Sequence, residues 1–519
     1  MYWADKIAKE IISSGKHEPY WVDDMKTPSG RIHIGSLRGV IIHDLVYKAV
    51  LDAGQKTNFT WVYDDHDPMD ALPIYLEKEK WERYLGMPLF KIPSPDKKAE
   101  SYARFFADEF TEVFNKVGCQ PKIIWGSELY LSGRMNNGIK TCLDKVQIIR
   151  EIYEKTYKKK AADDWYPFHV VCPSCGKEST TKVTGWDGKE VTFECKVNAV
   201  EWTKGCGHKG QTSPFSSERN YVGKLSWKLD WAVKWQVIGV TIEGAGKDHM
   251  SAGGSHDIAR QVCEKVLGYQ TPYPIAYEFF LIGGKKMSSS KGLGSSAKEI
   301  SEVLPPYLLR FLFARTDYRE AINFDPVGTM LISDLFDEYD RCRQAYIDGS
   351  DEDLARIFVL AQITKVPQKK MIFLPRFREV AQILQMPNVN IKDYFKEKKG
   401  SGLTKEEENI LEERIKYAKV WLEKFAPEEF KFEIKEEVAK TTLPSGFFAK
   451  LTDLIEDSKS PEELEKKIYE LIKKSNVSTK DAFTEIYKVL IGKTHGPKAA
   501  WLIWENKEKA LEVFRKISK

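Results

Sequence analysis

The chain has 519 residues, of which 42% are hydrophobic and 30% are charged. This composition excludes a disordered chain, a collagen and a small disulfide-rich protein, and the length predicts roughly three to four domains. Lysine plus arginine (80) nearly equals aspartate plus glutamate (76), so the net charge of +4 does not by itself indicate a nucleic-acid partner.

Residues 1–15 form an amphipathic segment that lacks the apolar centre of a signal peptide. No apolar run in the sequence is long enough to span a bilayer. We therefore expect a soluble, cytoplasmic protein.

Strand and helix signals alternate in the first part of the chain. Residues 20–22 form a short apolar run, and apolar residues then recur with helical spacing over 37–49. Gly54 ends that helix, and residues 57–63 are rich in β-forming side chains. This order forms a βαβ unit, so we expect a parallel sheet. The acidic segment 64–67 that follows is interpreted as a solvated turn, and the alternative is that it helps to bind a substrate or Mg²⁺.

A second α/β stretch follows later in the chain. Residues 237–242 and 275–282 are typical of strands, and residues 255–267 are typical of a helix. The segment between the two stretches, about 130–225, differs in character and contains a cluster of cysteines. We therefore predict a doubly wound, Rossmann-like α/β domain with a parallel sheet, interrupted by an inserted module.

The chain is predicted to be helical from about residue 300 onward. Thr404 and Glu407 form a capping box that begins one helix, and Ser460 followed by Pro461 begins another. The charged run 396–403 contains two glycines and indicates a mobile connection. The α/β part is thus followed by an all-α C-terminal region.

The clustered cysteines have the spacing of a zinc site. Cys172 and Cys175 form a C-x-x-C knuckle, Cys195 follows, and Cys206 precedes His208. Thiolates at these spacings converge on one tetrahedral ion, so we predict structural Zn²⁺ bound by four thiolates, or by three thiolates and His208. The alternatives are a chance group of buried cysteines and a redox pair.

A turn between a strand and a helix start has the sequence Pro28-Ser29-Gly30-Arg31-Ile32-His33-Ile34-Gly35-Ser36. Backbone N–H groups and the helix dipole favour an anion at such a position. Gly35 lets the backbone approach a ligand, and His33 can donate to a phosphate oxygen. The alternative is an ordinary strand–helix turn with a chance histidine.

A basic segment follows the apolar run that ends at residue 282. It has the sequence Gly283-Gly284-Lys285-Lys286-Met287-Ser288-Ser289-Ser290-Lys291-Gly292. Its glycines and serines make it flexible, and Lys286 can reach a phosphate as a point charge. The alternative is a basic surface loop.

The two segments, in this order on either side of a split α/β domain, resemble the signatures of class I aminoacyl-tRNA synthetases. Residues 33–36 resemble the HIGH motif, and residues 286–290 resemble the KMSKS motif. Ser36 replaces the last histidine of HIGH, and Ser289 replaces the second lysine of KMSKS. Lys285 or Lys291 can supply the missing charge.

The resemblance implies that ATP and an amino acid form an adenylate, whose aminoacyl group passes to tRNA. His33 and Lys286 are then the catalytic donors, with Mg²⁺ on the pyrophosphate. The loop after the strand near residue 242 matches the position that holds adenosine in these enzymes, although a glycine-rich loop capped by Asp248 is the alternative. The implied ATP-binding residues are Pro28, Ser29, Gly30, His33, Ile34, Gly35, Ser36, Gly246, Asp248, His249, Lys286, Met287, Ser288, Ser289 and Ser290.

Nearly the whole chain resembles the class I lysyl-tRNA synthetases found mainly in archaea. The shared features are the TPSGRIHIGSLRG stretch, a KMSSS loop, the cysteine cluster, and a helical half similar to the anticodon-binding part of glutamyl enzymes. The resemblance implies an enzyme that joins L-lysine to tRNA(Lys) and needs the tRNA for lysine activation. The sequence leaves the oligomeric state open, with a monomer favoured. We predict that residues 1–125 and 226–300 form the two halves of the catalytic domain and that residues 126–225 form the inserted module with the zinc cluster. Residues 301–350 are then a linking helical subdomain, and residues 351–519 are the anticodon-binding region.

One position supports lysine as the amino acid. Glutamyl enzymes carry an arginine ten residues before the first histidine of HIGH, where it binds the substrate carboxylate. That position is Asp23 here, next to Asp24, and a carboxylate there suits an ammonium side chain. The alternative is that the two aspartates cap the turn. The candidates to line the methylene stem or stack on the cation are Trp227, Trp231, Trp235 and Tyr269, and the alternative is that they are core or surface aromatics.

Three other functions remain as alternatives. The first is a class I synthetase for another amino acid, such as glutamate or arginine. The second is a nucleotidyltransferase of the HIGH superfamily that acts without tRNA. The third is a non-catalytic zinc-ribbon protein that binds nucleic acid, which leaves both phosphate-binding motifs unexplained.

Overall fold

The computed structural model describes residues 1–284, 296–386, 389–432, 434–435 and 440–518. These residues form two compact units. Unit 1 comprises Met1–Phe324 and Cys342–Pro367, and unit 2 comprises Asp325–Arg341 and Gln368–Lys519.

All strands formed by the described residues lie in unit 1. In chain order they are β1 (Tyr20–Lys26), β2 (Thr57–Tyr63), β3 (Lys122–Trp125), β4 (Phe168–Val170), β5 (Thr181–Trp186), β6 (Val191–Cys195), β7 (Lys209–Thr212), β8 (Gly223–Leu225), β9 (Ile242–Gly246), β10 (Tyr273–Tyr277), β11 (Phe280–Leu281) and β12 (Ile322–Asn323).

The helices of the first two thirds of the chain separate these strands and follow them. They are α1 (Trp3–Ser14), α2 (Ile34–Asp52), α3 (Lys78–Trp81), α4 (Tyr102–Lys116), α5 (Gly126–Leu131), α6 (Asn136–Asp144), α7 (Val146–Tyr157), α8 (Trp227–Ile238), α9 (Lys247–Met250), α10 (Ser255–Val262), α11 (Ala297–Ser301), α12 (Pro306–Ala314), α13 (Leu331–Asp348) and α14 (Glu352–Leu360).

A five-stranded sheet forms the centre of unit 1. Its strand order is β10-β9-β1-β2-β3, and every neighbouring pair is parallel. The predicted parallel α/β sheet is therefore confirmed. The chain runs from β1 outward to β2 and β3, and then returns to the other side of β1 as β9 and β10. Ligands of such sheets bind at the carboxyl ends of the strands beside this change of direction.

The boundary near residue 240 differs from the prediction. Residues 237 and 238 end α8, and the strand begins only at Ile242. Gly239 ends the helix in the left-handed conformation (φ 94°), which a residue with a Cβ adopts at a cost. Trp235 and Ile238 face the core from the helix, so their apolar character reflects helix burial rather than a strand.

The segment between β3 and β9 forms helices and two small antiparallel sheets. One sheet pairs β4 with β8, and the other has the order β5-β6-β7. Val183, Val191 and Phe193 of the second sheet share a hydrophobic core with Val62 and Trp235. The insertion is therefore packed into the core of unit 1.

Unit 2 is helical, which confirms the predicted α-helical C-terminal region. Its remaining helices are α15 (Phe377–Ile383), α16 (Ile391–Lys399), α17 (Lys405–Lys424), α18 (Phe447–Asp457), α19 (Pro461–Lys474), α20 (Thr479–Ile491), α21 (Ala499–Glu505) and α22 (Lys507–Ile517). The capping box of Thr404 and Glu407 and the start at Ser460 are confirmed.

One expectation for unit 2 is wrong. Residues 396–399, predicted as a mobile connection, are the last turn of α16. Asn390 caps the start of this helix, and Gly400 ends it in the left-handed conformation. Phe395 is fully buried and anchors the helix, a tertiary contact that the charged run conceals. The described helices of the chain are all too short or too polar to cross a membrane.

Candidate active site

A cavity of about 780 Å³ opens in unit 1 at the carboxyl ends of β1, β2 and β9. This is the position where the sheet changes direction. Its walls come from the turn after β1, the loop after β9, the start of α8 and the inserted module. One cavity therefore collects residues that are far apart in the sequence.

Most of the predicted nucleotide-binding residues that the structure describes line this cavity. The N-terminal turn of α2 contributes Ser29, His33, Gly35 and Ser36, whereas Pro28, Gly30 and Ile34 are buried within the turn and do not line it. The loop after β9 contributes Gly246, Asp248 and His249.

The predicted KMSKS-like residues Lys286, Met287, Ser288, Ser289 and Ser290 lie outside the described residues. The first described residue after that segment, Ser296, forms an isolated antiparallel bridge with His33. The Ala297 N–H also donates to the Ile32 carbonyl at 2.9 Å. Ser296 and Ala297 therefore lie beside the His33 turn.

The two adjacent aspartates of β1 have different positions. Asp24 lines the cavity, and Asp23 does not. Side chains alternate across a strand, so the two carboxylates point to opposite faces of the sheet. Asp23 is fully buried and accepts from the Thr60 hydroxyl, and its second oxygen has no hydrogen-bond partner among the described residues. Burial, with Asp24 nearby, raises the pKa of Asp23 well above its usual value.

The neighbours of Asp24 leave its charge without a cationic partner. Asp24 Oδ2 lies 3.3 Å from His43 Nδ1. His43 Nε2 accepts from the Gly244 N–H at 2.7 Å, so this nitrogen carries no proton and the imidazole is neutral. Within the described chain no lysine or arginine forms an ion pair with Asp24. The cavity wall therefore presents a carboxylate that forms no direct ion pair with a described lysine or arginine.

Glu243 is a further carboxylate in the wall, and sequence reasoning missed it. It stands opposite Asp23 in the register of β1 and β9. Its oxygens accept from the indole N–H groups of Trp231, at 2.9 Å, and Trp235. Burial raises the pKa of Glu243 well above its usual value, and Asp23 adds to the rise. Of the four aromatic candidates, Trp227 and Trp231 line the cavity, whereas Trp235 is buried and Tyr269 does not line it.

The turn after β2 is buried, so its interpretation as a solvated acidic turn is wrong. Asp65 and His66 are 1% and 0% exposed. Asp65 accepts from the Ser127 N–H at 2.7 Å and from its hydroxyl at 2.6 Å. The inserted module covers this turn, which local sequence does not reveal.

Lysines from the insertion and α8 neutralise part of the acidic wall. Lys234 pairs with Asp64 and, at 2.5 Å, with Asp230, and Lys224 pairs with Asp67. Although burial opposes its charge, Lys234 holds the pKa of Asp230 well below its usual value. Asp64, His66 and Asp230 lie close enough to form a metal site, but the ammonium of Lys234 already contacts both aspartates.

Glu178 brings the inserted module into the cavity. It lies three residues after Cys175, lines the cavity and is 1% exposed. Neither carboxylate oxygen has a hydrogen-bond partner in the described part of the chain. Burial raises the pKa of Glu178 well above its usual value. In the sequence, the position of Glu178 shortly after the Cys172 and Cys175 pair gives no indication that it lines this cavity.

The four clustered cysteines converge, as their spacing predicts. Their sulfur atoms lie within 4.8 Å of one another, with 3.5 Å between Cys172 and Cys206 and 3.7 Å between Cys175 and Cys195. A tetrahedral Zn²⁺ with Zn–S bonds of about 2.3 Å places its sulfurs about 3.8 Å apart, so the four thiols fit such an ion. A hydrogen bond from the His208 backbone lowers the pKa of Cys206 to about 6. The His208 side chain is exposed and is not part of this group of possible ligands.

Comparison with known proteins identifies related chains. The family model of the class I (K) tRNA synthetases matches residues 1–364. The chain is 34% identical to lysine–tRNA ligase 1 of Methanosarcina acetivorans, covering 97% of this chain and 96% of the relative. It is 32% identical to the lysine–tRNA ligase of Thermoplasma volcanium over the same shares, and 34% identical to that of Pyrococcus furiosus over 96% of each. A solved glutamate tRNA ligase from Elizabethkingia meningosepticum in complex with its amino acid has 12% identity and a TM-score of 0.42, covering 96% of this chain and 99% of that one.

Proposed function

Because the chain belongs to the class I (K) tRNA synthetases, we propose that it joins L-lysine to tRNA(Lys) in an ATP-dependent reaction. The reaction passes through lysyl-adenylate and releases pyrophosphate and AMP. The relatives named lysine–tRNA ligase match nearly the whole chain, which supports this substrate over glutamate or arginine. The observation that carries the proposal is the single cavity in which the predicted nucleotide-binding residues meet a wall of carboxylates.

The nucleotide side of the cavity is built for an anion. The N-terminus of α2 and His33 face it, so backbone N–H groups and an imidazole are available to the phosphates. In the proposed reaction a carboxylate oxygen of lysine attacks the α-phosphorus, and the bond to the β-phosphate breaks. His33 donates to the charge that develops there, and Lys286 is proposed as a second cationic donor. Mg²⁺ bound to the phosphates supplies further charge neutralisation.

The amino-acid side of the cavity is acidic and aromatic. We assign the substrate ammonium groups to the wall that contains Asp24 and Glu243, and buried Asp23, the register partner of Glu243, strengthens the negative field. The rings of Trp227 and Trp231 offer apolar surface to the methylene stem. A glutamate side chain would instead meet carboxylates, which is an unfavourable contact.

We propose that Cys172, Cys175, Cys195 and Cys206 hold a structural Zn²⁺, which ties the ends of the small sheet together. The role is structural because four thiolates leave no open position for a reacting water. The helical region 351–519 is proposed to bind the anticodon of the tRNA, and the functional division of the chain predicted from its sequence remains part of this proposal.

ATP–pyrophosphate exchange with each of the twenty amino acids, with and without tRNA, tests the function. We expect exchange with lysine, and only in the presence of tRNA. Exchange with glutamate or arginine would support a class I synthetase and contradict lysine as its substrate. Activity without any amino acid would favour a nucleotidyltransferase, and no exchange in any arm would contradict the proposed reaction.

A further inference from the structure

Three lysines line the cavity in the described part of the chain, and two of them have carboxylate partners. Lys224 pairs with Asp67, and Lys234 pairs with Asp64. Lys26 forms no ion pair and no side-chain hydrogen bond with any described residue, although it lines the same cavity. Its charge is thus available to a ligand.

The backbone around Lys26 is fixed. Lys26 is the last residue of β1 and stands opposite Tyr63 in the register with β2. Its carbonyl accepts from the Asp64 N–H at 3.0 Å, and the hydroxyl of the next residue, Thr27, donates to Asp67 at 2.5 Å. The residue therefore projects from an ordered strand end directly before the turn that leads to His33 and α2.

Two opposing effects act on the ammonium group of Lys26, and its pKa is lowered overall. Burial lowers the pKa of its ammonium group, but carboxylates act in the opposite direction. They belong to Asp24, Asp64, Asp67 and Asp70. These groups neutralise the field around the ammonium without forming a direct pair with it, so its hydrogens remain free to donate to an incoming anion.

The signature motifs of this chain carry fewer basic residues than their family patterns. Ser36 stands at the last position of the HIGH-like motif, and Ser289 stands in the KMSKS-like motif. The adenylation transition state still requires cations near the phosphates, because negative charge spreads over the phosphorus oxygens. Lys26 lies on the cavity wall and can supply such a cation.

We propose that Lys26 is a catalytic residue that binds the phosphates of ATP and stabilises the charge that develops as pyrophosphate departs. This inference rests on the proposed function. The reaction itself is unchanged: the lysine carboxylate forms the new bond to the α-phosphorus, and the electron pair of the broken bond leaves with pyrophosphate. Lys26 donates hydrogen bonds and forms no covalent bond.

Kinetics of lysine-dependent ATP–pyrophosphate exchange, measured with tRNA present, test the assignment. We expect Lys26→Gln to lower kcat/KM for ATP at least about tenfold, and Lys26→Arg to restore most of it, because arginine retains the charge. The KM for lysine should change less than about twofold. Lys56→Gln is the matched control, since Lys56 is exposed just before β2, at the opposite edge of the sheet.

A measurement on the unmodified protein covers the case in which the glutamine variant does not fold. Acetylation of individual lysines is followed by mass spectrometry with and without Mg²⁺·ATP. We expect ATP to slow acetylation of Lys26 at least about fivefold and to leave Lys56 unchanged. Unchanged acetylation of Lys26, full exchange activity of Lys26→Gln, or a defect confined to the KM for lysine would overturn the proposal. Absence of exchange in the unmodified protein would instead contradict the proposed function.

Discussion

Asp23 and Asp24 are neighbours on β1, but their side chains have different surroundings because successive side chains of a strand point to opposite faces. Both carry a carboxylate near the expected ammonium position, but only Asp24 reaches the cavity wall. Asp23 points to the other face and is buried against Thr60. The spacing to the HIGH-like motif identifies Asp23, whereas the pleat of the strand brings Asp24 into the cavity.

This difference predicts unequal effects of two matched substitutions. Asp24→Asn should raise the KM for lysine at least about tenfold, because a hydrogen bond between charged groups is worth about 1.5–3 kcal/mol. Asp23→Asn should change it less, since the amide keeps the shape and removes a buried charge without a full set of partners. Exchange assays with lysine varied measure both constants. A larger effect from Asp23→Asn would contradict the assignment of the wall to Asp24.

The buried carboxyl of Glu178 predicts a dependence of stability on pH. Its pKa is raised in the folded chain, so its contribution is fully present below the unfolded value and is lost as pH rises through the folded value. Glu178→Gln removes this loss, so we expect its melting temperature to rise relative to the unmodified protein between pH 4 and pH 8. Glu190→Gln, an exposed site in the same module, is the control. A constant difference across this pH range would argue against the buried charge.

At the scale of elements, the inserted module joins a cysteine cluster to the cavity. The short segment between Cys175 and β5 carries Glu178, whose N–H donates to the Gly86 carbonyl at 2.8 Å. Lys224 on β8 pairs with Asp67 in the wall. The module thus contributes side chains to the site besides its cysteine cluster.

The cysteine geometry predicts which residues retain zinc. The purified protein should contain one equivalent, and Cys206→Ser should lose most of it and melt several degrees lower. His208→Ala should retain the metal, because its side chain lies outside the ligand group. Metal content by mass spectrometry and thermal unfolding measure both effects. Zinc loss from His208→Ala with retention by Cys206→Ser would favour the alternative ligand set.

The cap of α17 predicts a local effect in unit 2. Although burial opposes its charge, hydrogen bonds from Lys399 and the N–H groups of Thr404 and Phe373 lower the pKa of Glu407 to about 2. Thr404→Ala should lower the free energy of unfolding by about 1 kcal/mol. Thr479→Ala, at an exposed first position of α20, is the control.

The same cap has a defined pH window. The stability that Glu407 contributes is present above its unfolded pKa of about 4.3, and it is lost as pH falls through about 2. Denaturant unfolding of Glu407→Gln and the unmodified protein should therefore differ at pH 6 and converge near pH 2. Equal stability at pH 6 would contradict the role of the carboxylate.

At the scale of the whole molecule, catalysis and tRNA selection are expected to separate. Unit 1 contains the cavity and its own core, and the family model ends at residue 364. A chain that ends at Pro367 should bind ATP within about threefold of the full chain. It should charge tRNA at least about a hundredfold less efficiently, because the proposed anticodon-binding region is missing. Equal charging by both chains would contradict the functional division.

Much of the fold was accessible from local patterns. Periodicity identified β2 and the helix α2, and cap residues identified the starts of α17 and α19. The boundary near residue 240 and the end of α16 were missed, since buried Trp235 and Phe395 are fixed by distant contacts. The resemblance to class I synthetases is confirmed by the family model.

The sequence by itself determined the parallel α/β class, the convergence of the cysteines and the turn that presents His33, because each depends on residues close together in the chain. Only the tertiary structure decided the acidic wall. Asp24, Glu243 and Glu178 come from β1, β9 and the insertion, and no local spacing connects them. The tertiary structure likewise pairs Asp64 and Asp67 with Lys234 and Lys224, and it leaves Lys26 without a direct ion pair among the described residues. The sequence could not show this, because an ion pair depends on distance in space.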